Sequence, residues 1–368
     1  MHISDTHLGF SAYSKLDPVE GINQREADVY RAFEQAIDKA IELRPDLVVH
    51  SGDLFDTVRP QNRAIDFALR QLIRLSEAGI ETVLISGNHS TPRLRETGNI
   101  FRIFEHLKGI HPVHEPGASK VVVGKATIHA VPHSSSPGLA EVVSKLKPSK
   151  ESEFDVMVLH AGILDSDTYK MDEFNEQSVP MRALGDGWDY IALGHYHRFA
   201  EVGQQACYAG STERLGFGEA GQVKGIVEVD LDRHKAKLHE LRIREMLDLP
   251  PLDASNLASS EILRQARDSV SSSSIDDKIV RLAITNVASD AYKSLDVSAI
   301  RRLGASALHF ELKVDRLDAE GKHEAGEAQI GLLADEFRKY VTKLDMPDEK
   351  KKKVVELGLP YLAKEEET

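Results

Sequence analysis

Five short stretches of this chain carry residues that could do chemistry together: Asp5 with His7, Asp53, Asn88 with His89, His160, and His195 with His197. The set contains imidazoles, carboxylates and one amide, with no thiolate. Mixed nitrogen and oxygen donors of this kind suit Mn²⁺, Fe or Zn²⁺ better than Mg²⁺ or Ca²⁺, which prefer shells of oxygen alone. There are more donors than one ion can use. Two ions about 3.5–4 Å apart, sharing one carboxylate, would use them all. Such a pair can activate a bridging water and neutralise charge on a phosphoryl group during in-line attack. Singly, each stretch reads as an ordinary turn, with Asp5 as a turn former and Asn88 as a left-handed residue. Five of them in order, each behind a β-like run, make coincidence a poor account. His2, His50, His106, His129, His133, His234 and His239 fit no part of the pattern and read as structural.

The elements that must deliver these residues are visible as apolar runs. Residues 46–49 form a buried strand that runs through His50-Ser51-Gly52 to Asp53 at its tip. Residues 81–85 end at Ser86-Gly87-Asn88-His89. Residues 155–159 end at His160, and 190–193 at Gly194-His195-Tyr196-His197. A very short apolar piece at Ile3 precedes Asp5. Between the strands lie stretches of helical period. Residues 23–43 carry Val29, Ala32, Phe33, Ala36, Ile37, Ala40 and Ile41. Residues 63–76 carry Ile65, Ala68, Leu69, Leu72 and Ile73 on one side. Residues 99–107 predict a short helix that is apolar around much of its circumference. Strand pairs are expected at 120–123 with 126–131, and at 225–231 with 235–242. Alternating β and α elements imply a parallel or mixed sheet with helices on its faces, where ligands sit beyond the carboxyl ends of the strands. Residues far apart in sequence can meet in that crevice.

The 368 residues suffice for two or three domains. At 41% hydrophobic and 29% charged, the composition is that of a globular protein. No run of roughly 18 apolar residues suggests a membrane span, and no secretory signal is visible. Cys207 is the only cysteine, which excludes an internal disulfide framework and a thiolate metal cluster, and fits an intracellular location. The net charge of -13 argues mildly against nonspecific nucleic-acid binding, but leaves room for a local basic groove or a metal that supplies positive field. Composition shifts at Leu249-Pro250-Pro251, where a domain boundary is expected. Beyond it, helices at 261–270 and 297–303 and strands at 278–287 and 307–314 form a small α+β module. After Gly321 the chain turns polar and then amphipathic, with helical spacing at 329–344 and again from Pro347 to about residue 357.

Asp5-x-His7, Gly52-Asp53, Gly87-Asn88-His89, His160 and Gly194-His195-x-His197 resemble the calcineurin-like metallophosphoesterase superfamily. The surrounding text is similar to the nuclease subunit of the double-strand-break repair complex, the SbcD family with its archaeal and eukaryotic counterparts. It includes His2-Ile3-Ser4-Asp5-Thr6-His7-Leu8-Gly9, and Gly52-Asp53-Leu54-Phe55-Asp56 with Arg59-Pro60 after it. The resemblance implies an α/β fold: a four-layer β-sandwich flanked by helices, with a small α+β capping domain and a C-terminal helical arm. The parts would be residues 1–249 for the nuclease domain, 250–317 for the cap, and 318–368 for a linker and ATPase-binding helices. It implies two Mn²⁺ per subunit, one held by Asp5, His7, Asp53 and His197, the other by Asp53, Asn88, His160 and His195. His89 would face the scissile phosphate or assist the leaving group. The implied activity is exonuclease and endonuclease cleavage of DNA. The implied partners are DNA, a coiled-coil ABC-type ATPase and a second copy of the chain, docked through helices at 63–76 and 99–107. The location would be cytoplasmic, beside the nucleoid, or nuclear. Lys15, Arg59, Arg93, Arg95 and Arg198 lie near the motif loops and are candidates for phosphate contacts. Asp56 stands where some relatives have His, and Ser90 where many have an acidic residue.

Two other functions compete. One is a phosphoesterase of the same fold acting on nucleotides or phosphomonoesters. Its protein-phosphatase form usually shows Gly-Asp-x-Val-Asp-Arg-Gly, where this chain has Gly52-Asp53-Leu54-Phe55-Asp56-Thr57-Val58. Purple acid phosphatases add a tyrosine ligand shortly after Asp53, and none stands there. The other competitor is a non-catalytic scaffold for DNA or the ATPase. It would be signalled by lost ligands, and none is missing.

Overall fold

The structure is a computed structural model that describes residues 1–91, 98–134, 138–164, 177–203, 205–317, 341 and 350–355. One six-stranded sheet contains β1 (His2–Ile3), β2 (Leu47–His50), β3 (Glu81–Ile85), β4 (Ile110–Val113), β13 (Gly225–Asp230) and β14 (Lys235–Glu240), in the order β14-β13-β1-β2-β3-β4. A second contains β5 (Ser119–Val123), β6 (Ala126–Val131), β7 (Phe154–His160), β10 (Tyr190–Gly194), β11 (Ala200–Val202) and β12 (Ala206–Tyr208), in the order β11-β12-β10-β7-β6-β5. Strands β1 to β4 run parallel, as do β6, β7, β10 and β12. The expected pairs β5–β6 and β13–β14 are antiparallel.

Strands buried on both faces need apolar residues at consecutive positions, and these have them. Val49, Val83 and Ile85 of the first sheet pack against Ile128, Val158 and Ala192 of the second. The outer face of the first sheet is covered by α1 (Gln24–Leu43) and α2 (Asn62–Glu77). The outer face of the second is covered by α3 (Leu139–Lys145) and the loop carrying Trp188. The result is four layers, helix–sheet–sheet–helix. A small parallel pair, β8 (Gly162–Leu164) with β9 (Ser178–Pro180), follows the end of β7.

Helix α1 starts where the Asn23 side chain accepts from the backbone N–H groups of Arg25 and Glu26. Val29, Ala32, Phe33, Ala36, Ile37 and Ala40 form its buried stripe. Each of the larger ones contributes about 1.5–3 kcal/mol relative to exposure. Helix α2 is turned from the expected orientation. It buries Ala64, Phe67, Ala68, Gln71, Leu72 and Leu75, while Ile73 is 37% exposed. Two apolar stripes run side by side along this helix. The one containing Phe67 wins because that ring stacks on Tyr30 of α1. Residues Ile100–His106 form a 3₁₀ helix rather than an α-helix, capped by the Asn99 side chain, with Phe101 and Phe104 buried.

A third sheet contains β15 (Met246–Asp248), β16 (Leu252–Asp253), β17 (Ile279–Ala288) and β18 (His309–Leu317), all parallel to β17. With α4 (Ser259–Ser271), α5 (Ser289–Ser294) and α6 (Val297–Leu303), it encloses a core of its own. Its first strand lies just before Pro250. The Arg244 side chain pairs with Asp28 of α1 and with Asp277. Tyr13 stacks on His309, and the Arg281 guanidinium lies over the Phe217 ring. The helical segments expected at 329–344 and 347–357 lie outside the described residues, apart from Val341 and a helical stretch at 350–355.

Candidate metal centre

All five stretches arrive at the same end of the two inner sheets. Asp5 and His7 follow β1, Asp53 follows β2, and Asn88 and His89 follow β3. His160 ends β7, and His195 and His197 follow β10. The loops after β1 and β2 continue side by side, with the N–H groups of Asp5, His7 and Leu8 donating to the carbonyls of Gly52, Asp53 and Leu54. Leu54 and Phe55 are fully buried and anchor this double loop in the core.

The backbone is strained where the donors sit. Asp5 (φ 49°), His7 (φ 45°), Asp53 (φ 51°) and His195 (φ 102°) all have positive φ. L residues reach such angles at a cost of about 1–2 kcal/mol each, and they persist where the surroundings impose them. The glycines beside them provide space. A Cβ on Gly87 would overlap Oδ1 and the backbone nitrogen of Asp53, and a Cβ on Gly52 would overlap the His160 ring. A Cβ on Gly194 would strike the Ser51 carbonyl and Ser4 Oγ.

The side chains form two adjoining groups. Ligand atoms of Asp5, His7 and His197 lie within 4.8 Å of one another, as do those of Asp5, Asp53 and His160. A third group, His7, Asp56 and His89, shares His7 with the first. The carboxylate common to the first two groups is Asp5, and Asp53 belongs to the second. His160 Nε2 lies 3.1 Å from Asp53 Oδ2 and 2.8 Å from Asn88 Oδ1. His195 closes the same side, its ring 5.4 Å from that of His160 and edge-on to it. Its backbone N–H donates to the Asp5 carboxylate.

Hydrogen bonds on the far side of three rings, His160, His197 and His7, set their orientation. His160 Nδ1 donates to the Ser51 carbonyl at 2.9 Å, so Nε2 faces the two oxygens of Asp53 and Asn88. His197 Nδ1 donates to Glu219 Oε1 at 2.9 Å, and His7 Nδ1 donates to Asp56 Oδ1 at 3.2 Å. The Nε2 atoms of His7 and His197 are therefore left facing each other at 3.1 Å. Two lone pairs at that distance repel unless a positive charge lies with them. His160 Nε2, close to two acceptor oxygens, needs one as well. The donor set thus fits divalent cations. With a cation bound, His7, His160 and His197 would each offer Nε2 inward while an oxygen holds Nδ1–H outward, the arrangement metal-binding histidines use.

The titration behaviour has the same cause. Burial lowers the His160 pKa, but the adjacent Asp53 and Asp5 carboxylates outweigh it and raise it to about 9. Burial pushes the Asp53 carboxyl upward, and the neighbouring histidines reverse that and hold it far below the usual range. Burial raises Asp5, with His160 and His197 opposing. His50 and His133, buried nearby without such carboxylate contact, fall to about 3 and about 4 through burial.

Of the phosphate-contact candidates, Lys15, Arg59 and Arg198 are exposed. Arg198 lines a cleft of about 500 Å³ with Phe199, Gln222 and Leu238. Arg93 and Arg95 lie outside the described residues. Sequence reasoning missed Glu219, Lys224 and Ser211, which surround His197 from behind.

A two-sheet sandwich with carboxylates and imidazoles gathered at its strand ends defines a metallophosphoesterase. The chain belongs to the calcineurin-like phosphoesterase family, whose sequence profile matches residues 1–199. Within that family it is similar to proteins named DNA double-strand break repair protein Mre11. It is 32% identical to that of Methanococcus maripaludis over 240 residues, covering 61% of this chain and 59% of the relative. It is 35% identical to that of Sulfurisphaera tokodaii over 200 residues, covering 54% and 48%. It is 30% identical to that of Thermoplasma acidophilum over 260 residues, covering 67% and 65%. The chain thus spans about half to two thirds of the length of these relatives.

Proposed function

We propose that this chain is a Mn²⁺-dependent DNA nuclease of double-strand-break repair, hydrolysing phosphodiester bonds at a two-metal centre. The observation that carries the proposal is the convergence of Asp5, His7, Asp53, Asn88, His160, His195 and His197 on one buried crevice, with every oriented imidazole turned inward. The similarity to Mre11 proteins supports DNA as the substrate and repair as the setting. Asp5, His7, Asp53 and His197 would hold one cation, and Asp53, Asn88, His160 and His195 the other. Bound divalent cations supply Lewis-acid charge against the phosphoryl oxygens and lower the pKa of water to near neutrality. The protein's part is to hold those donors in place and manage protons around the phosphate. The His89 backbone N–H donates to Asp53 Oδ1 at 2.9 Å and steadies that carboxylate. His89 Nδ1 donates to the Asp56 carbonyl at 2.8 Å, so Nε2 is the atom that exchanges a proton with the leaving oxygen. Lys15, Arg59 and Arg198, with Arg93 and Arg95, would contact phosphates flanking the cut.

The wider assembly follows the same reading. A second copy would dock on α2 and the 3₁₀ helix, where Ile73 is exposed. Residues 250–317 would cap the site, and residues 318–368 would tether helices that bind a coiled-coil ABC-type ATPase. No described helix is long and apolar enough to cross a membrane. The proposed location is intracellular, with the DNA.

End-labelled duplex DNA incubated with Mn²⁺ and the full chain tests the proposal, with Asp53→Asn alongside. Native cleavage that falls at least about a hundredfold in the variant is expected. Cleavage of small phosphomonoesters alone would transfer the site to a different phosphoesterase reaction.

A further inference from the structure

We propose that Glu219 and Lys224 act as a positioning pair that holds His197 by its ring and by its backbone, so that uptake of one divalent cation depends on them. The inference rests on the reading of the crevice as a metal centre. Glu219 Oε1 accepts from His197 Nδ1 at 2.9 Å, and Glu219 Oε2 pairs with Lys224 Nζ at 2.5 Å. Lys224 Nζ also donates to the His197 carbonyl at 2.6 Å and to Ser211 Oγ at 2.9 Å. The Ser211 N–H closes the circle by donating to the same His197 carbonyl at 3.0 Å. Lys224 is 2% exposed and Glu219 7%.

A buried ion pair is weak evidence for stability, because removing both charges from water is costly and apolar replacements often serve as well. The contacts of this pair are specific in a way that stability alone does not require. An ammonium has three N–H donors. Here its acceptors are Glu219, the His197 carbonyl, Ser211 and, at 3.1 Å, Gln222. A lysine so enclosed is not available to bind substrate phosphate. Its position instead fixes the peptide that carries His197, while Glu219 fixes the ring. The carboxylate on Nδ1–H also makes Nε2 a stronger donor. His7 gets similar support from Asp56, which is partly exposed, and His160 from the neutral Ser51 carbonyl. His197, in contrast to His7 and His160, is braced by a buried carboxylate that is itself braced by a buried cation.

Manganese alone is titrated calorimetrically into the metal-free full chain. E219Q keeps an acceptor for Nδ1–H and removes the charge. E219Q/K224M removes both charges, so that neither is left buried without its partner. Two Mn²⁺ equivalents are expected for the native chain. In the variants one equivalent weakens ten- to a hundredfold and the other by less than about threefold, with an unchanged near-UV circular dichroism spectrum. In a His197→Ala background the same substitutions cost nothing further. Unchanged uptake of both equivalents by a folded variant overturns the inference, as does a full additional loss on top of His197→Ala. If the double variant fails to fold, E219Q alone decides. A native chain that takes up no Mn²⁺ would overturn the metal reading itself, an outcome distinct from a native chain that binds and a variant that binds equally well.

Discussion

Gly87 contributes to the centre by what it lacks. Its α-carbon sits so close to Asp53 that any side chain would displace the carboxylate or its backbone nitrogen. Both are fixed, because Asp53 lies at φ 51° and its Oδ1 accepts from the His89 N–H. Gly87→Ala should therefore act on the metal centre as well as on stability. Expected are a loss of about 2–4 kcal/mol by chemical denaturation and at least a tenfold loss of Mn²⁺ affinity by calorimetry. Gly216→Ala is the control. A Cβ there meets nothing within 4 Å and the backbone is extended, so stability should move by less than about 0.5 kcal/mol. An unchanged Mn²⁺ affinity in Gly87→Ala would mean that Asp53 has room to shift. The donors and these glycines were legible in sequence because each is locked to the end of its own strand. Glu219 was not. Its contact with His197 crosses 22 residues that include β11 and β12, and no period or motif marks a glutamate that reaches back over such a span. Nor does spacing indicate which carboxylate joins the donor groups. Asp5 is common to the two donor groups because the loops after β1 and β2 run side by side, which brings it next to Asp53, the carboxylate proposed to be shared by both cations.

Helix α1 is where the sandwich meets the third sheet. Asp28 accepts from Arg25 on its own helix and from Arg244, just ahead of β15, and Arg244 also reaches Asp277. Burial pushes the Asp28 carboxyl up, and Arg244 and Arg25 overcome it and hold it below the usual range. A folded-state pKa below the unfolded value gives stability that is complete above the unfolded value of 3.8 and is lost as pH falls through the folded one. Asp28→Asn should cost about 2 kcal/mol at pH 7, read as a melting temperature lower by several degrees. The gap from the native chain should narrow below about pH 4, as the native carboxyl takes up its proton. A gap that stays constant down to pH 3 would show that Asp28 acts through shape rather than charge. The order and type of the long elements were legible from apolar period, since burial on one face or two dictates it. The exposed side of α2 was not, because its two stripes overlap at Ala68 and Leu72, and what turns the helix is the packing of Phe67 against Tyr30 and Phe33 of α1. The 3₁₀ winding at Ile100–His106 was likewise invisible, since a single short apolar cluster fits either helix.

At the scale of the whole molecule the charge is a constraint. A net charge of -13 repels a polyanion, so DNA affinity cannot come from a general basic field. If DNA is the substrate, as proposed, its affinity would come from a few local cations and from the metals. Lys15, Arg59 and Arg198 are exposed near the motif loops, and Arg93 and Arg95 make five candidates in all. Each phosphate neutralised contributes about -0.9 to the slope of log K against log salt on duplex DNA. Three to five contacts therefore predict a slope of roughly -2.7 to -4.5. The measurement is fluorescence anisotropy of a labelled duplex with Asp53→Asn, without divalent metal, across a range of monovalent salt. Arg59→Ala or Arg198→Ala should each flatten the slope by about one unit if that residue meets a phosphate. A slope of -7 or steeper would require a basic surface that these five residues do not provide. A slope near zero would leave substrate binding to the metals alone. In that case adding Mn²⁺ should raise affinity by more than tenfold while leaving the salt dependence shallow, because the centre meets one phosphate and releases few counterions.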